Sequence, residues 1–303
     1  MDIIKNTKLW FIISGALIAL AVFALSFNTF VHGRPMNFGI DFTGGTLMEA
    51  QFSVAPPSEE AVKDVILRGG GKSAVVQPSQ DNAIIMRYAP TTDADNEKIF
   101  ALLKELDGNV RQLRVDFIGA TISDQIRSNA LIAVTLSVVG IAFYIAWAFR
   151  RISYPIPSWQ YGLCAIIALA HDIIITIGVF AVLGEFFDVE VGVPFIAALI
   201  TILGYSVNDT IVVYDRIREN ILRARSVANF EEIVNLSINE TLARSINTSL
   251  TVMIVLIILS LFGGPALFYF SIALLIGIAF GTYSSIFIAS AFLVTSHRLS
   301  RRR

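Results

Sequence analysis

The run from Leu9 to Val31, LWFIISGALIALAVFALSFNTFV, contains no ionisable side chain. A helix needs roughly 20 apolar residues to cross about 30 Å of hydrocarbon, so this run reads as a membrane span. Lys5 and Lys8 precede it as they would in a signal peptide, and Ala24-Leu25-Ser26 resembles a weak cleavage site. The run is longer than a signal core and continues through Phe27 and Phe30, which favours a retained anchor.

Four more stretches repeat the pattern. The second span lies between Arg127 and Arg150. The third lies between Arg151 and Glu185, broken only by His171 and Asp172, and the fourth between Glu190 and Asp215, broken only by Asp209. From Arg244 to His297 the sole ionisable side chains are tyrosines, a length too great for one helix. Gly263-Gly264-Pro265 divides it into a helical hairpin. Six transmembrane helices result. Composition agrees: the chain is 55% hydrophobic and 16% charged, with mean hydropathy +0.68, where soluble domains carry about 25% charged residues. The single Cys164 excludes an intramolecular disulfide.

Lysine and arginine placement orients the spans. Lys5, Lys8, Arg150, Arg151, Arg216, Arg218, Arg223, Arg225, Arg244, Arg298 and Arg301, Arg302 and Arg303 mark one side. The two short loops opposite carry no Lys or Arg, and the first holds Glu185, Asp188 and Glu190. Both termini are expected in the cytoplasm. The expected division is 1–31 as the first helix, 32–127 as an external domain, and 128–303 as a five-helix bundle with a cytoplasmic loop at 215–243 and a basic tail.

The external segment reads as a ferredoxin-like βαββαβ module. Gly45 to Phe52 alternates as a strand. Ser58-Glu59-Glu60 opens a helix that ends at Gly69-Gly70-Gly71. Ser73 to Gln77 and Ala83 to Tyr88 flank the turn Ser79-Gln80-Asp81-Asn82. Thr92 to Leu106 is helical, with Ile99, Leu102, Leu103 and Leu106 on one face, and Val110 to Ile118 is the last strand. The scaffold carries no metal-ligand cluster, nucleophile–base pair or phosphate loop, and does not specify a function. Gly39-Ile40-Asp41-Phe42-Thr43-Gly44-Gly45-Thr46 leads into it. As a bare sequence this is a glycine-rich connection in which Asp41 and Thr43 satisfy turn amides.

Ionisable groups inside spans are costly, about 2.5–3.5 kcal/mol on insertion scales, so each is a functional candidate. Asp172 stands about 21 Å into its helix, with Thr176 one turn on; His171 is rotated about 100° away and does not fully share its direction. A neutral Asp bonded to a neighbouring helix is the structural alternative. Asp209 lies about 9 Å from the cytoplasmic end of its helix. Tyr205 and Ser206 share its face and are placed to hydrogen-bond it, and Asn208 adjoins it. Arg244 opens the fifth helix, with Asn247, Thr248 and Thr251 continuing its stripe. It is either an ordinary cytoplasmic anchor or a partner within reach of Asp209, a competition that a protonation switch requires. Phe230, Ile233, Val234, Ile238 and Leu242 form an apolar stripe that an interfacial amphipathic helix explains.

Three segments together resemble the SecF-type subunits of the SecD/SecF protein-export family. They are Phe38 to Gly45 with its Gly39, Asp41, Gly44 and Gly45; Ala170-His171-Asp172; and Gly204-Tyr205-Ser206-Val207-Asn208-Asp209-Thr210 running on to Asn220. The resemblance covers essentially the whole chain. It implies a six-helix half related to resistance–nodulation–division transporters, partnered by SecD beside the SecYEG channel, with YajC and YidC as further candidate partners. It implies use of the proton motive force in late export of a translocating polypeptide, with proton coupling through Asp209 and Arg244; from its placement within a span, Asp172 is expected to shape the same polar path. Tyr205, Ser206, Asn208 and Thr248 would support them. No metal, cofactor, nucleic-acid partner or enzymatic activity is expected. The rival readings are half of a small-molecule or lipid exporter, disfavoured by the small external domain, and a passive scaffold, disfavoured by ionisable groups in lipid.

Overall fold

In the computed structural model, residues 2–72, 74–79, 81–89, 92–150, 156–224 and 229–300 are described. Ser73, Gln80, Arg151, Arg225 and the tail Arg301, Arg302 and Arg303, read above as strand, turn and basic ends, lie outside them. The chain forms two compact units, Phe38–Leu131 and Met1–Asn37 with Ile132–Arg303.

Phe38–Leu131 opens with the single helical turn α2 (Ile40–Thr43), which follows α1 (Thr7–His32) in the chain. Then come β1 (Gly45–Gln51), α3 (Glu59–Arg68), β2 (Val75–Pro78), β3 (Ala83–Tyr88), α4 (Asp93–Leu106) and β4 (Arg111–Ile118). The sheet order β2-β3-β1-β4, antiparallel throughout, is that of a ferredoxin-like fold. Alternation in β1 and β3 turns Met48, Ala50, Ile84, Met86 and Tyr88 onto one face. Val62, Val65, Ile66, Ile99 and Leu103 cover that face from α3 and α4. Leu106, expected on the same stripe, is 43% exposed, because α4 ends there. Ser58 caps α3, and Thr92 with Asp95 forms a capping box on α4.

Within the glycine-rich opening, Gly45 has φ +125°, and a Cβ there would lie 2.6 Å from the carbonyl oxygen of Tyr88. Only glycine lets β1 approach β3 in that conformation. Thr43 does not accept from a turn amide as expected; its hydroxyl donates to the carbonyls of Gly39 and Gly44, each at 3.1 Å.

Six helices among the described residues are long and apolar enough to cross a membrane, and the chain is a multi-pass membrane protein. They are α1, α5 (Ala120–Ala148), α6 (Ser158–Phe187), α7 (Val193–Arg223), α8 (Phe230–Phe262), and α9 (Pro265–Ser284) continued by a π-turn at Ser285–Ala289 and α10 (Ser290–Ser300). The break between α8 and α9 falls at Gly263 and Gly264, the latter at φ +75°.

Within the expected connection 215–243, α7 continues to Arg223 and α8 begins at Phe230. The stripe of Phe230, Val234 and Ile238 is not the interfacial helix expected. It is the first part of α8, buried in the bundle core with Tyr214 and Ile217. Burial against protein and burial in lipid headgroups ask for the same apolar periodicity, so the pattern alone does not separate them.

Close helix approaches set the bundle. The buried residues of α1 are Thr7, Ser14, Ala21 and Asn28, a small or polar seam repeating every seventh position. A Cβ on Gly178 of α6 would lie 2.2 Å from the Cβ of Ala21. On α9, Gly277 meets Ile202 and Gly281 meets Ser206, so α7 and α9 also run close.

Candidate functional site

Two buried carboxyl groups lie at α7, one on α6 facing it and one on α7 itself. Asp172, on α6, is fully buried. Its Oδ2 accepts hydrogen bonds from Ser206 Oγ of α7 at 2.6 Å and Ser284 Oγ of α9 at 2.8 Å. Its Oδ1 lies 2.8 Å from His171 Nδ1. Adjacent helical residues leave the axis about 100° apart, yet the His171 ring does reach the neighbouring carboxyl. Thr176 donates to the Asp172 backbone carbonyl at 2.8 Å and does not touch the carboxyl.

The close α7–α9 crossing at Gly281 brings Ser284 to this site. The π-turn beginning at Ser285 lies directly after it, and a π-turn inserts one residue into the helical register. Ser285 then faces Thr210, with hydroxyls 2.9 Å apart. Ser284 and Ser285 carry no sequence signal that separates them from other serines in apolar helices.

Asp209 is 5% exposed. Its Oδ1 accepts from Ser245 Oγ of α8 at 2.6 Å, and its Oδ2 has no hydrogen-bond partner among the described residues. Ser206, expected to bond Asp209, bonds Asp172 instead. Tyr205 also turns elsewhere, its hydroxyl 3.5 Å from Ser249 Oγ. Ser249 in turn contacts the hydroxyl of Thr282. The polar stripe of α8 that matters inside the bundle is therefore Ser245 and Ser249, both buried, which the reading of Arg244 and its stripe passed over. A serine every fourth residue after Thr241 was the available signal.

Arg244, Asn247, Thr248 and Thr251 occupy the other face of α8 and are exposed. Thr248 donates to the backbone carbonyls of Arg244 and Ser245. Asn208 is exposed on α7. No ion pair joins Arg244 to Asp209 among the described residues, although the guanidinium is an electrostatic neighbour of the carboxyl. Gly39, Asp41, Gly44 and Gly45 belong to the other unit, at the entry to its sheet. No group of three or more His, Cys, Asp or Glu with metal-site geometry occurs among the described residues.

Residues 98–299 match the family model described as the protein export membrane protein SecD/SecF, C-terminal, and residues 29–55 match the SecD/SecF GG motif. The chain is 43% identical over 272 residues to a protein named protein translocase subunit SecF from Thermobaculum terrenum, covering 86% of this chain and 84% of that one. A protein of the same name from Sebaldella termitidis is 37% identical, with 99% and 93% covered. The crystal structure of SecDF from Thermus thermophilus, a translocon-associated membrane protein, superposes with a TM-score of 0.81 at 32% identity. That match covers 98% of this chain and 39% of the longer SecDF chain. A super-membrane-facing form of SecDF gives a TM-score of 0.66.

Proposed function

The chain belongs to the SecD/SecF family of protein-export membrane proteins and has the role of a SecF-type translocase subunit; on that premise we propose that it couples the proton motive force to export through Asp209, with Arg244 as the charge that biases it. The observation that carries this is the Asp209 carboxyl. It is buried in a spanning helix, held on one oxygen by Ser245, and open on the other. Such an oxygen can take a proton, or meet a cation brought by movement of a neighbouring helix. A unit charge crossing the full field gains about 2.3 kcal/mol per 100 mV, enough to bias a two-state conformational equilibrium.

We propose SecD as the partner. Arg244, Asn247, Thr248 and Thr251 form an exposed polar face that hydrocarbon does not satisfy, so a second membrane subunit covers it. The complex acts beside SecYEG in the inner membrane, with both termini cytoplasmic and Phe38–Leu131 on the outer side, where the translocating polypeptide emerges. YajC and YidC are further candidate neighbours. Asp172 contributes to the same polar interior from α6, through Ser206 of α7.

Export into inverted membrane vesicles, with and without an imposed proton gradient, tests the assignment. Asp209→Asn keeps the shape and the Ser245 hydrogen bond but does not ionise. It is expected to assemble with SecD and lose gradient stimulation. Arg244→Lys keeps the charge without the planar fork and retains partial stimulation. Full stimulation in Asp209→Asn would return Asp209 to a structural role.

A further inference from the structure

We propose that His171 and Asp172 form a second proton-binding site, separate from Asp209, in which the proton enters at the Nε2 atom of His171. The inference rests on the reading of the chain as a proton-driven subunit for its purpose, but on geometry for its existence.

His171 is 3% exposed, and its Nε2 atom has no hydrogen-bond partner among the described residues. Its other ring nitrogen is engaged by Asp172 Oδ1 at 2.8 Å. A neutral imidazole that donates from Nδ1 to a carboxylate must present a bare lone pair at Nε2. That is the basic end of the ring, and it is placed where nothing else uses it. Asp172 meanwhile accepts from Ser206 and Ser284 on its second oxygen, so that with His171 its carboxyl makes three polar contacts in all.

The step is simple. A hydronium ion or a water chain gives one proton to Nε2. The Nδ1 hydrogen stays in place and Asp172 remains a carboxylate. The pair passes from one net negative charge to none, and no other bond changes.

The surroundings are otherwise free of competing charge. From α9, the Tyr283 ring stacks on His171 at 6.1 Å, its hydroxyl 3.2 Å from Ser14 Oγ. Between Lys8 and His32, α1 has no ionisable side chain. On α7, Tyr205 and Asp209 turn toward α8, through Ser249 and Ser245. On α10, His297 packs on Phe230 and Arg298 pairs with Glu231. No side-chain hydrogen bond among the described residues joins the Asp172 contacts to those of Asp209. The two sites thus share no hydrogen-bonded side-chain path, and on this proposal the α1–α6–α9 side of the bundle has its own proton carrier.

The chain has three histidines, His32, His171 and His297, so nitrogen-15 labelling of histidine in the full chain gives a readable spectrum. Loss of one signal in His171→Gln identifies His171; if that variant does not fold, His32→Gln and His297→Gln identify it by elimination. The Nε2 signal of His171 is expected to move on acidification, to stop titrating in Asp172→Asn, and to titrate as before in Asp209→Asn. A signal that stays still over the range where the chain is folded overturns the proposal. So does one that titrates unchanged in Asp172→Asn. Loss of the titration in Asp209→Asn would merge the two sites into one and equally defeat it. If His171 titrates as expected while export ignores the gradient, the coupling assignment falls and the proton site stands.

Discussion

Ser206 donates a 2.6 Å hydrogen bond to Asp172 across the α6–α7 interface, although it lies three residues before Asp209 on α7. Three residues of helix leave two side chains roughly 60° apart around the axis. That angle points Ser206 at α6 and Asp209 at α8, where Ser245 meets it. One helix thus carries a residue of each carboxyl site, and a rotation or slide of α7 acts on both at once.

Ser206→Ala and Ser284→Ala each remove one donor from a buried carboxyl oxygen. Each is expected to cost about 1–3 kcal/mol of stability. Because both serines serve Oδ2, the double variant is expected to be non-additive. Unfolding of the purified chain in detergent checks this, and unchanged stability in both single variants would show that the hydroxyls do not hold Asp172.

Gly178→Val tests the α1–α6 crossing. The first added carbon already falls 2.2 Å from Ala21 Cβ and 2.5 Å from its Cα, so backbone has to move. Overpacking of this kind costs about 1–3 kcal/mol or more. Cross-linking of paired cysteines across the two helices is expected to drop in the variant. An unaltered cross-linking yield and melting profile would contradict the crossing.

Asp107 is expected to add an acid dependence to the stability of the Phe38–Leu131 unit. It accepts from the Ser53 amide at 2.6 Å, from the Ser53 hydroxyl, and from the Asn109 amide at 2.9 Å, and these hold its carboxyl below the usual range. A depressed folded value means that the stabilisation is present above the unfolded value, about 3.9, and is lost as pH falls through the folded one. Asp107→Asn is expected to flatten this acid dependence. Melting of the Phe38–Leu131 unit followed against pH in both proteins distinguishes them, and identical slopes would remove Asp107 from the transition.

Orientation is tested by single cysteines at Ser79 and Glu232 in a Cys164→Ala background. A membrane-impermeant thiol reagent applied to intact cells is expected to label Ser79→Cys alone. Labelling of Glu232→Cys but not Ser79→Cys would invert the assignment.

The six spans, the β-α-β-β-α-β order and the identity of Asp172 and Asp209 as buried charges were all readable in the linear chain. Each depends on local physics: runs of apolar residues long enough for a bilayer, alternation at period two, caps such as Thr92, and the cost of an ionisable group in lipid. What the tertiary structure alone decided was which groups meet. Ser284 and Ser285 look ordinary in sequence, since a serine in an apolar helix usually bonds its own backbone, and the fourfold spacing of Ser245 and Ser249 marks a face without naming its partner. Their roles follow from helix crossings at Gly178, Gly277 and Gly281 and from a π-turn that resets the register after Ser284. The same holds for the first part of α8, whose apolar stripe fits a membrane surface and a protein core equally well until Tyr214 and Ile217 are found against it. Periodicity specifies the face that is buried. The helix that lies on the other side is set by side-chain interlocking over long sequence separations, and for that reason Ser206 serves Asp172 rather than the Asp209 one turn along.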